Sequence, residues 1–305
     1  MLSICIPVYN YIIIDLVADL IDQCDSENIL YEIIVLEDGS DQKYLKINSQ
    51  YFSDKKNVRH IIFEKNEGRS IARNTLADSA KYDKLIFIDC DSGLPDKKYI
   101  KRYLANIQYD IVCGGTIYHK SQNVLNKTLR YNYGINREMI DAEKRKKNPN
   151  QSFTTNNFLI SKKIFESIRF REFLKKYGHE DSLFGYELGK NSFIIHHINN
   201  PVIHEGLEDN HIFLKKTQDG ITNLILIEKD ASVDNEFTDN IKLIRTYKKL
   251  KKNNIIFITN FLFSCFSNIM YNHLLKSKSP SILIFDLYKI GYYNKQVKLE
   301  ENNEK

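Results

Sequence analysis

Two aspartates, Asp89 and Asp91, follow an apolar run in the stretch KLIFIDCDSG at residues 84–93. Carboxylates are costly to bury, so their position at the tip of a strand suited to a protein core needs a reason. Two carboxylates beyond a strand end can hold Mg²⁺ or Mn²⁺ together with a diphosphate, because hard divalent cations prefer carboxylate and phosphate oxygens. The alternative is an ordinary turn, since Asp-Ser-Gly is favourable turn chemistry.

Polar side chains also follow the two preceding apolar runs. Asp38, in EDGS at residues 37–40, can accept hydrogen bonds from a base or a ribose, although a turn explains it equally well. Arg69 and Arg73, in NEGRSIARN, are four residues apart and therefore share one face of a helix. Both can meet phosphate charge there. A solvated basic face is the alternative for either arginine.

A second motif-rich stretch lies between residues 177 and 206. Asp181, in the sequence HED, begins a predicted helix and is a candidate general base if it faces the same site. A helix N-cap is a sufficient alternative for this carboxylate. His204, in NPVIHEG, follows a short extended run and is a candidate third metal ligand, although a lone histidine is often structural.

An alternation of strands and helices must position these residues. Short runs rich in Ile, Val and Phe, typical of parallel sheets covered on both faces, predict strands at 3–8, 31–37, 58–64, 84–89 and 110–118. The segments between them predict helices at 11–25, 42–51, 69–82 and 96–108. This order predicts a doubly wound α/β fold, in which the carboxyl ends of the strands and the polar residues after them converge on one rim.

The second half of the chain has a different composition. Residues 119–155 are polar and basic, with the run EKRKKNPN at 143–150, and we predict a long mobile loop. Structure resumes with a predicted strand at 156–161 and a helix near 162–176, and the pattern is helical from residue 211 onward. We therefore predict a sheet domain at 1–210 and a helical extension at 211–305.

The composition is that of an ordinary globular protein. The 305 residues carry a net charge of +5, which suits anionic substrates or an acidic membrane surface but is too weak to indicate nucleic acid. Five scattered cysteines without a CxxC pair indicate buried thiols in a reducing compartment. The N-terminus lacks the features of a signal peptide, and the apolar run at 255–270 is too short and polar to span a membrane. We therefore predict a cytoplasmic protein.

The order of SICIPVYN, LEDGS, NEGRSIARN, FIDCDS and GHED resembles an inverting glycosyltransferase of family 2, with the GT-A nucleotide-diphospho-sugar transferase fold. The first four motifs cover residues 3 to about 95 and are jointly specific, and the stretch 178–210 resembles a bacterial soluble subgroup of the family. The resemblance implies a Rossmann-like, mostly parallel central sheet flanked by helices, followed here by the C-terminal helical extension.

The resemblance also implies a role for each polar cluster. The residues implied for the nucleotide are Pro7, Val8, Tyr9, Glu37, Asp38, Arg69, Arg73 and Asp89. The residue implied for a divalent metal, Mn²⁺ or Mg²⁺, is Asp91, with Asp89 and His204 as further members of the metal shell. Asp181 would deprotonate the acceptor hydroxyl, with Glu180 as the second choice for the base.

The implied reaction is single-sugar transfer, in which the acceptor oxygen attacks the anomeric carbon opposite the leaving nucleoside diphosphate and inverts its configuration. The implied donor is a nucleotide-diphospho-sugar, with UDP as the default nucleotide. The implied acceptor is a glycan or lipid-linked glycan in the biosynthesis of a surface polysaccharide or glycoconjugate. Two departures are visible: Glu37 stands where the family usually has Asp, and the absence of Trp excludes the QxxRW motif of processive synthases.

Other functions stay open at this point. A sugar nucleotidyltransferase usually has a Gly-rich basic loop after the first strand, where this chain has PVYNY. A catalytically degenerate scaffold protein is opposed by the presence of Asp91 and Asp181. The helical extension either packs on the catalytic domain, forms a dimer contact, or rests on an anionic membrane through residues 248–263, which would place the protein at the inner face of the cell membrane.

Overall fold

The computed structural model describes residues 1–174, 178–230 and 233–303. The strands within these ranges are β1 (Leu2–Val8), β2 (Tyr31–Asp38), β3 (Val58–Phe63), β4 (Lys84–Ile88), β5 (Ser92–Gly93), β6 (Ile111–Cys113), β7 (Thr116–Ile117), β8 (Asn157–Ser161), β9 (His196–His197) and β10 (Val202–His204). The α-helices are α1 (Ile14–Ser26), α2 (Gln42–Phe52), α3 (Arg69–Ser79), α4 (Tyr99–Leu104), α5 (Thr128–Tyr133), α6 (Ala142–Arg145), α7 (Lys162–Ile168), α8 (Glu180–Lys190), α9 (Asn210–Lys229), α10 (Asn235–Asn240), α11 (Lys242–Lys252), α12 (Ile256–Lys276) and α13 (Ile282–Asn303).

Seven strands form a central sheet in the order β3-β2-β1-β4-β8-β6-β9. The first four are parallel, so that Ile4 of β1 pairs with Ile33 of β2 on one side and with Ile86 of β4 on the other. β8 runs antiparallel to β4 and β6, and β9 is parallel to β6. A second sheet of short strands has the order β5-β10-β7. The prediction of a mostly parallel central sheet flanked by helices is confirmed.

The central sheet is buried on both faces, which explains why its strands read as continuous apolar runs. Successive residues of β1 point to opposite faces of the sheet. Ile4 joins the apolar cluster that contains Val17 of α1, whereas Cys5 joins the cluster that contains Leu76 of α3. Because helices cover both faces, the ends of the strands are where polar side chains can meet a ligand.

The predicted strand at 110–118 is two strands, because two glycines turn the chain between them. β6 ends at Cys113 in the central sheet, and β7 joins the second sheet. A Cβ atom on Gly114 would lie 2.4 Å from the Asn157 side chain, and Gly115 has φ +95. Only glycine fits such a turn without strain, so the apolar run is divided.

The prediction of a long mobile loop at 119–155 is wrong. The segment contains α5 and α6, with a π-helical turn at Gly134–Glu138 between them. Arg145 is buried, and its guanidinium donates hydrogen bonds to the carbonyl oxygens of Cys113, Gly114 and Ile198. A basic composition predicts a solvated loop, but here one of the cations satisfies main-chain carbonyls that strand pairing leaves open.

The helix predicted near 162–176 is shorter than expected. α7 ends at Ile168, and Arg169 follows with φ 44, a left-handed conformation that interrupts a helix. The Arg169 guanidinium then makes two hydrogen bonds to the Asp78 carboxylate, at 2.7 and 2.8 Å. Residues 175–177, the end of the predicted helix and the start of the following motif stretch, lie outside the described residues.

Contacts between residues divide the described chain into two compact units. We name as the sheet unit residues 1–118, 138–174 and 180–206, and as the helical unit residues 119–137, 178–179, 207–230 and 233–303. The predicted helical C-terminal region is confirmed by α9 to α13, whose core includes Leu214, Leu274 and Phe285. The predicted division at 210/211 stays a prediction.

The helical unit contains three long helices, α9, α12 and α13. Within the part of the chain that the structure describes, no single helix has both the length and the apolar content to cross a membrane. The pair α11 and α12, bent by 113°, meets these two criteria jointly.

Candidate active site

The tips of β1 and β2 are tied together by hydrogen bonds. The backbone N–H of Asn10 donates to Ser40 Oγ at 2.9 Å, and the Asn10 side chain accepts from the backbone N–H of Asp41 at 2.7 Å. Pro7 and Val8 close strand β1, and Tyr9 follows them with 53% of its surface exposed. An exposed aromatic ring held at a strand tip is suited to stacking on a nucleobase.

Asp38 ends β2 and shapes the loop before α3. Its two carboxylate oxygens accept hydrogen bonds from the backbone N–H groups of Glu67 at 2.7 Å and Gly68 at 3.0 Å. Burial raises the pKa of Asp38, although these hydrogen bonds oppose the shift. Gly68 has φ 99, which permits the turn into the helix. The carboxylate is therefore fixed beside the N-terminus of α3, and each oxygen retains a lone pair for a ligand.

Glu37 is fully buried and acts on the neighbouring loop. Its carboxylate accepts a hydrogen bond from Asn48 Nδ2 at 2.8 Å and lies 3.8 Å from His60 Nε2. Burial alone would raise the pKa of Glu37, but hydrogen bonds from polar neighbours lower it overall. Asn48 in turn donates to the carbonyl oxygen of Tyr11 and accepts from the N–H of Ile13. The placement does not support the predicted contact between Glu37 and a nucleotide, which stays a prediction; instead the pair holds the loop after β1.

Arg73 is a buried cation, not part of a solvated basic face. Its guanidinium is 1% exposed, donates to Asp89 Oδ1 at 2.8 Å and lies over the Phe170 ring. Arg73 Nη1 and the half-exposed Arg69 approach Glu180 Oε1 at 4.0 and 3.7 Å. The two arginines therefore converge on one carboxylate, as the four-residue spacing predicts. Within the described residues, Arg73 Nε and Nη1 have no hydrogen-bond partner, so the buried cation retains donors for an anion.

Asp181 lies in the first turn of α8, one residue after the buried Glu180. The helix itself begins at Glu180, so Asp181 does not hold the N-cap position. Its carboxylate accepts hydrogen bonds from the N–H and hydroxyl groups of Ser182. Burial, followed by the charge of Glu180, raises the pKa of Asp181 to about 6, and Arg73 limits this rise. A carboxylate with a pKa close to neutral pH is suited to proton transfer.

Asp91 and His204 meet although 113 residues separate them. His204 Nε2 lies 3.0 Å from Asp91 Oδ2, because β5 and β10 pair antiparallel with His204 opposite Ser92. The N–H of Glu205 also donates to the carbonyl oxygen of Asp91 at 2.8 Å. At Gly206 a Cβ atom would lie 2.5 Å from Asp91 Oδ2, so only glycine permits this close approach. Pairing of β5 with β10 in the second sheet therefore brings the Asp91 and His204 side chains together.

The donor set of Asp91 and His204 fits a divalent cation. A carboxylate oxygen and an imidazole nitrogen are both ligands that Mn²⁺ accepts. Asp89 points instead to Arg73. Within the described ranges no group of three or more His, Cys, Asp or Glu side chains is arranged to hold an ion. Two protein ligands are consistent with a Mg²⁺ or Mn²⁺ whose remaining positions are taken by phosphate oxygens and water.

The turn at 89–92 and the candidate site are the same feature. The N–H of Ser92 donates to the carbonyl oxygen of Asp89 at 3.2 Å, as in a turn. This turn sends the Asp89 side chain to Arg73 and the Asp91 side chain to His204. The two alternatives drawn from KLIFIDCDSG are therefore compatible.

Three further side chains at the site carry no motif in the sequence. The rings of Tyr118 and His204 pack nearly perpendicular to each other, with their centroids 5.6 Å apart, so Tyr118 helps to orient the imidazole. Burial, followed by the charges of Asp91 and Glu205, raises the pKa of Tyr11 to about 12, so this hydroxyl stays protonated beside the carboxylates. Asn48 stands on the buried face of α2, where an amide between apolar neighbours is the only sequence signal of its role.

A cavity of 290 Å³ in the sheet unit lies apart from these residues. It is lined by residues near β9, including Tyr109 and His196, whose rings stack at 3.7 Å. None of the predicted site residues lines it. The cavity is therefore separate from the candidate active site at the rim.

The family model described as glycosyl transferase family 2 matches residues 3–169, more than half of the chain. No protein of curated function matches the sequence.

Solved structures share the fold at low sequence identity. The mannosyltransferase PcManGT from Pyrobaculum calidifontis, solved in complex with GDP-Man and Mn²⁺, has a TM-score of 0.59 and 11% identity over 97% of this chain and 86% of that chain. S. aureus TarS 1–349 has a TM-score of 0.51 and 17% identity, covering 97% of this chain and 91% of that chain. The same TarS fragment in complex with UDP has a TM-score of 0.50 and 16% identity, covering 100% of this chain and 92% of that chain. These similarities support the GT-A fold.

Proposed function

The chain belongs to glycosyl transferase family 2, and from this premise we propose that it transfers one sugar from a nucleotide-diphospho-sugar to a hydroxyl group of a glycan or lipid-linked acceptor, with inversion at the anomeric carbon. The observation that carries the proposal is a continuous set of contacts at the rim. Asp91 meets His204, Asp89 meets Arg73, and Arg73 approaches Glu180, the neighbour of Asp181. Groups for a metal, for a diphosphate and for a proton are therefore adjacent.

Binding of the nucleotide is assigned to the tips of β1, β2 and α3. Tyr9, with Pro7 and Val8 behind it, offers an exposed ring to the base. Asp38 offers carboxylate oxygens to the base or ribose. We assign Glu37 the indirect role of holding the loop after β1 through Asn48.

Binding of the diphosphate is assigned to Arg73 and Arg69 from one side and to a divalent metal from the other. Asp91 and His204 would hold the metal, while Asp89 stays with Arg73 near the ribose. When bound, a divalent cation offsets negative charge on the departing diphosphate. Support comes from the donor set and from the Mn²⁺ of the structurally similar mannosyltransferase.

Proton transfer is assigned to Asp181. Glu180 Oε1 lies 3.7 Å from Arg69 and 4.0 Å from Arg73, so this carboxylate is engaged with the arginines and not with the acceptor hydroxyl. Asp181 has the raised pKa, so at neutral pH it is a carboxylate that can accept the proton of the acceptor hydroxyl. The acceptor oxygen then forms the new bond to the anomeric carbon as the bond to the diphosphate oxygen breaks.

The wider setting is also proposed. UDP is the default nucleotide, and a surface polysaccharide or glycoconjugate is the proposed product. Residues 1–210 form the proposed catalytic domain, and the protein is proposed to act in the cytoplasm. The scaffold alternative predicts nucleotide binding without turnover, and the nucleotidyltransferase alternative predicts release of pyrophosphate.

Calorimetric titration of the full chain with UDP, GDP and dTDP, first with Mn²⁺ and then with EDTA, tests the proposal. One nucleotide should bind with Mn²⁺ and bind about tenfold or more weakly in EDTA and in Asp91→Ala, because the metal links protein and diphosphate. Asp54→Ala removes an exposed carboxylate from the loop before β3, at the amino end of a parallel strand and not at the carboxyl ends that form the rim, and should bind normally. Equal affinity of Asp91→Ala and the wild type would overturn the metal assignment.

A further inference from the structure

Helix α12 exposes an apolar stripe on one face. The exposed fractions of Phe257, Phe261 and Ile269 are 66%, 65% and 64%, and Ile258 and Cys265 are exposed beside them. Spacings of three to four residues place these side chains on the same face of the helix. We call Phe257, Ile258, Phe261, Cys265 and Ile269 the apolar stripe. Soluble monomers rarely leave a continuous patch of this kind open to water.

The opposite face of α12 packs on α13 and fixes which side faces out. The ring centroids of Phe263 and Tyr288 are 5.7 Å apart, and a Cβ atom on Gly291 would lie 2.2 Å from Phe263 Cδ2. Asn260 and Asn294 are hydrogen-bonded across the same interface. Close helix contact at a glycine leaves α12 little freedom to rotate. The apolar stripe is therefore the outer face of a fixed helix.

Helices α11 and α12 carry charge of one sign, and one of their lysines, Lys248, is paired with Asp239 of the preceding helix α10. Between Asp239 and Asp286 the sequence has no acidic residue and eight Lys or Arg residues: Lys242, Arg245, Lys248, Lys249, Lys251, Lys252, Lys276 and Lys278. All eight are exposed. The first six are on α11, directly before α12; Lys276 is the last residue of α12, and Lys278 lies two residues beyond it. On α11, Ile244 and Tyr247 are buried, so the helix turns its cations outward.

Apolar side chains between two groups of cations are complementary to an anionic lipid surface. The aromatic side chains can insert at the boundary between headgroups and hydrocarbon, and the lysines can form ion pairs with the phosphate headgroups. A second copy of the chain would instead bring like charges together, since the segment offers no carboxylate to the opposing lysines. The charge pattern therefore favours a membrane over a homodimer.

We propose that α11 and α12 dock on the surface of a membrane rich in anionic phospholipid, with the apolar stripe inserted at the headgroup boundary and the lysines on the phosphates. The helices lie on the membrane and do not span it. Docking uses neither nucleotide nor metal, so it goes beyond the proposed transferase activity and is tested without it.

The absence of Trp makes a direct optical test available. Phe261→Trp places the single indole of the protein in the stripe, and Ile194→Trp places it at an exposed apolar position of the sheet unit. Vesicles of phosphatidylcholine with added phosphatidylglycerol should shift the emission of Phe261→Trp to the blue and leave that of Ile194→Trp unchanged. Vesicles of phosphatidylcholine alone should produce a much smaller shift. No shift in Phe261→Trp with anionic vesicles would overturn the proposal.

Co-sedimentation with the same vesicles separates the two parts of the surface. Phe257→Ser with Phe261→Ser, and Lys249→Glu with Lys252→Glu, should each weaken vesicle binding about tenfold or more. The matched charge control, Lys46→Glu with Lys56→Glu, changes exposed lysines of the sheet unit and should bind as the wild type does. Thermal unfolding of each variant checks that it is folded. Equal binding by all variants, or a dimer in sedimentation velocity that only the Phe variants dissociate, would contradict membrane docking.

Discussion

The sheet unit buries charge, whereas the helical unit exposes apolar surface. Glu37, Arg73 and Glu180 lie inside the sheet unit, held by hydrogen bonds or by opposite charges. In α12 of the helical unit, Leu274 is the one buried residue, while Phe257 and Phe261 face outward. Both arrangements cost free energy in an isolated protein. We therefore propose that each marks a place where the chain meets something else: an ionic ligand at the rim and a lipid surface at the stripe.

The largest effect should follow removal of the proposed base. Asp181→Asn should lower kcat by about 10²–10⁴-fold and leave nucleotide affinity unchanged, because the amide keeps the shape of the side chain but cannot accept the proton. Glu180→Gln is the matched comparison, and it should weaken donor binding more than it lowers kcat, since Glu180 is engaged by the arginines. Initial rates at several donor concentrations measure both. A larger loss of kcat in Glu180→Gln would assign the base to Glu180.

Two phenylalanines test the contrast inside the helical unit. Phe285→Ala removes a buried ring and should lower the free energy of unfolding by about 3–5 kcal/mol. Phe261→Ala removes an exposed ring and should change it by about 0.5 kcal/mol or less. Urea unfolding followed by circular dichroism gives both values. Similar losses in the two variants would mean that the stripe is part of the protein core in solution.

Two arginines test the same contrast in the sheet unit. Arg73→Ala leaves Asp89 and Glu180 without their buried cation and should destabilise the fold by about 3 kcal/mol. Arg69→Ala, which removes a half-exposed partner of the same Glu180, should cost about 1 kcal/mol or less. The measurement is again urea unfolding. If nucleotide protects Arg69→Ala as strongly as wild type, Arg69 has no part in binding.

The smallest effect concerns pH. Asp181 acts as a base only when ionised, and its pKa is raised to about 6, so kcat should fall about tenfold per pH unit below that value. Glu180→Gln removes a charge that raises this pKa and should move the acid limb to lower pH. Because Asp181 is the direct neighbour of Glu180 in the chain, this shift would assign the acid limb to Asp181. An acid limb unmoved in Glu180→Gln would exclude it.

The fold and the order of the site were predictable because both depend on short-range patterns. Apolar runs of strand length and the polar residues after them predict the parallel strands and the rim. The turn chemistry of DCDSG and the extended run before His204 were also visible. The register of β5 against β10, which brings Asp91 and His204 together, cannot be predicted from any local pattern, because the two strands are far apart in the sequence.

The sequence could not predict which cations are buried, because distant partners decide this. Arg73 is compatible with a solvated helix face in the sequence, yet Asp89 and Glu180 hold it inside. Arg145 lies in a basic run typical of a loop, yet its guanidinium donates hydrogen bonds to the carbonyl oxygens of Gly114 and Ile198. Composition reports charge, but only tertiary structure reports which charges are compensated.

The most direct test of the transferase assignment is an NMR assay, with Mg²⁺ present, that measures the consumption of each member of a panel of UDP-, GDP- and dTDP-linked sugars. The wild type should slowly hydrolyse or transfer one member of the panel, releasing the nucleoside diphosphate and a sugar of inverted configuration. Asp91→Ala and Asp181→Asn should consume it far more slowly, and Asp54→Ala should match the wild type. If no donor is consumed, or if Asp91→Ala and Asp181→Asn are as active as the wild type, the rim described above is not the catalytic site.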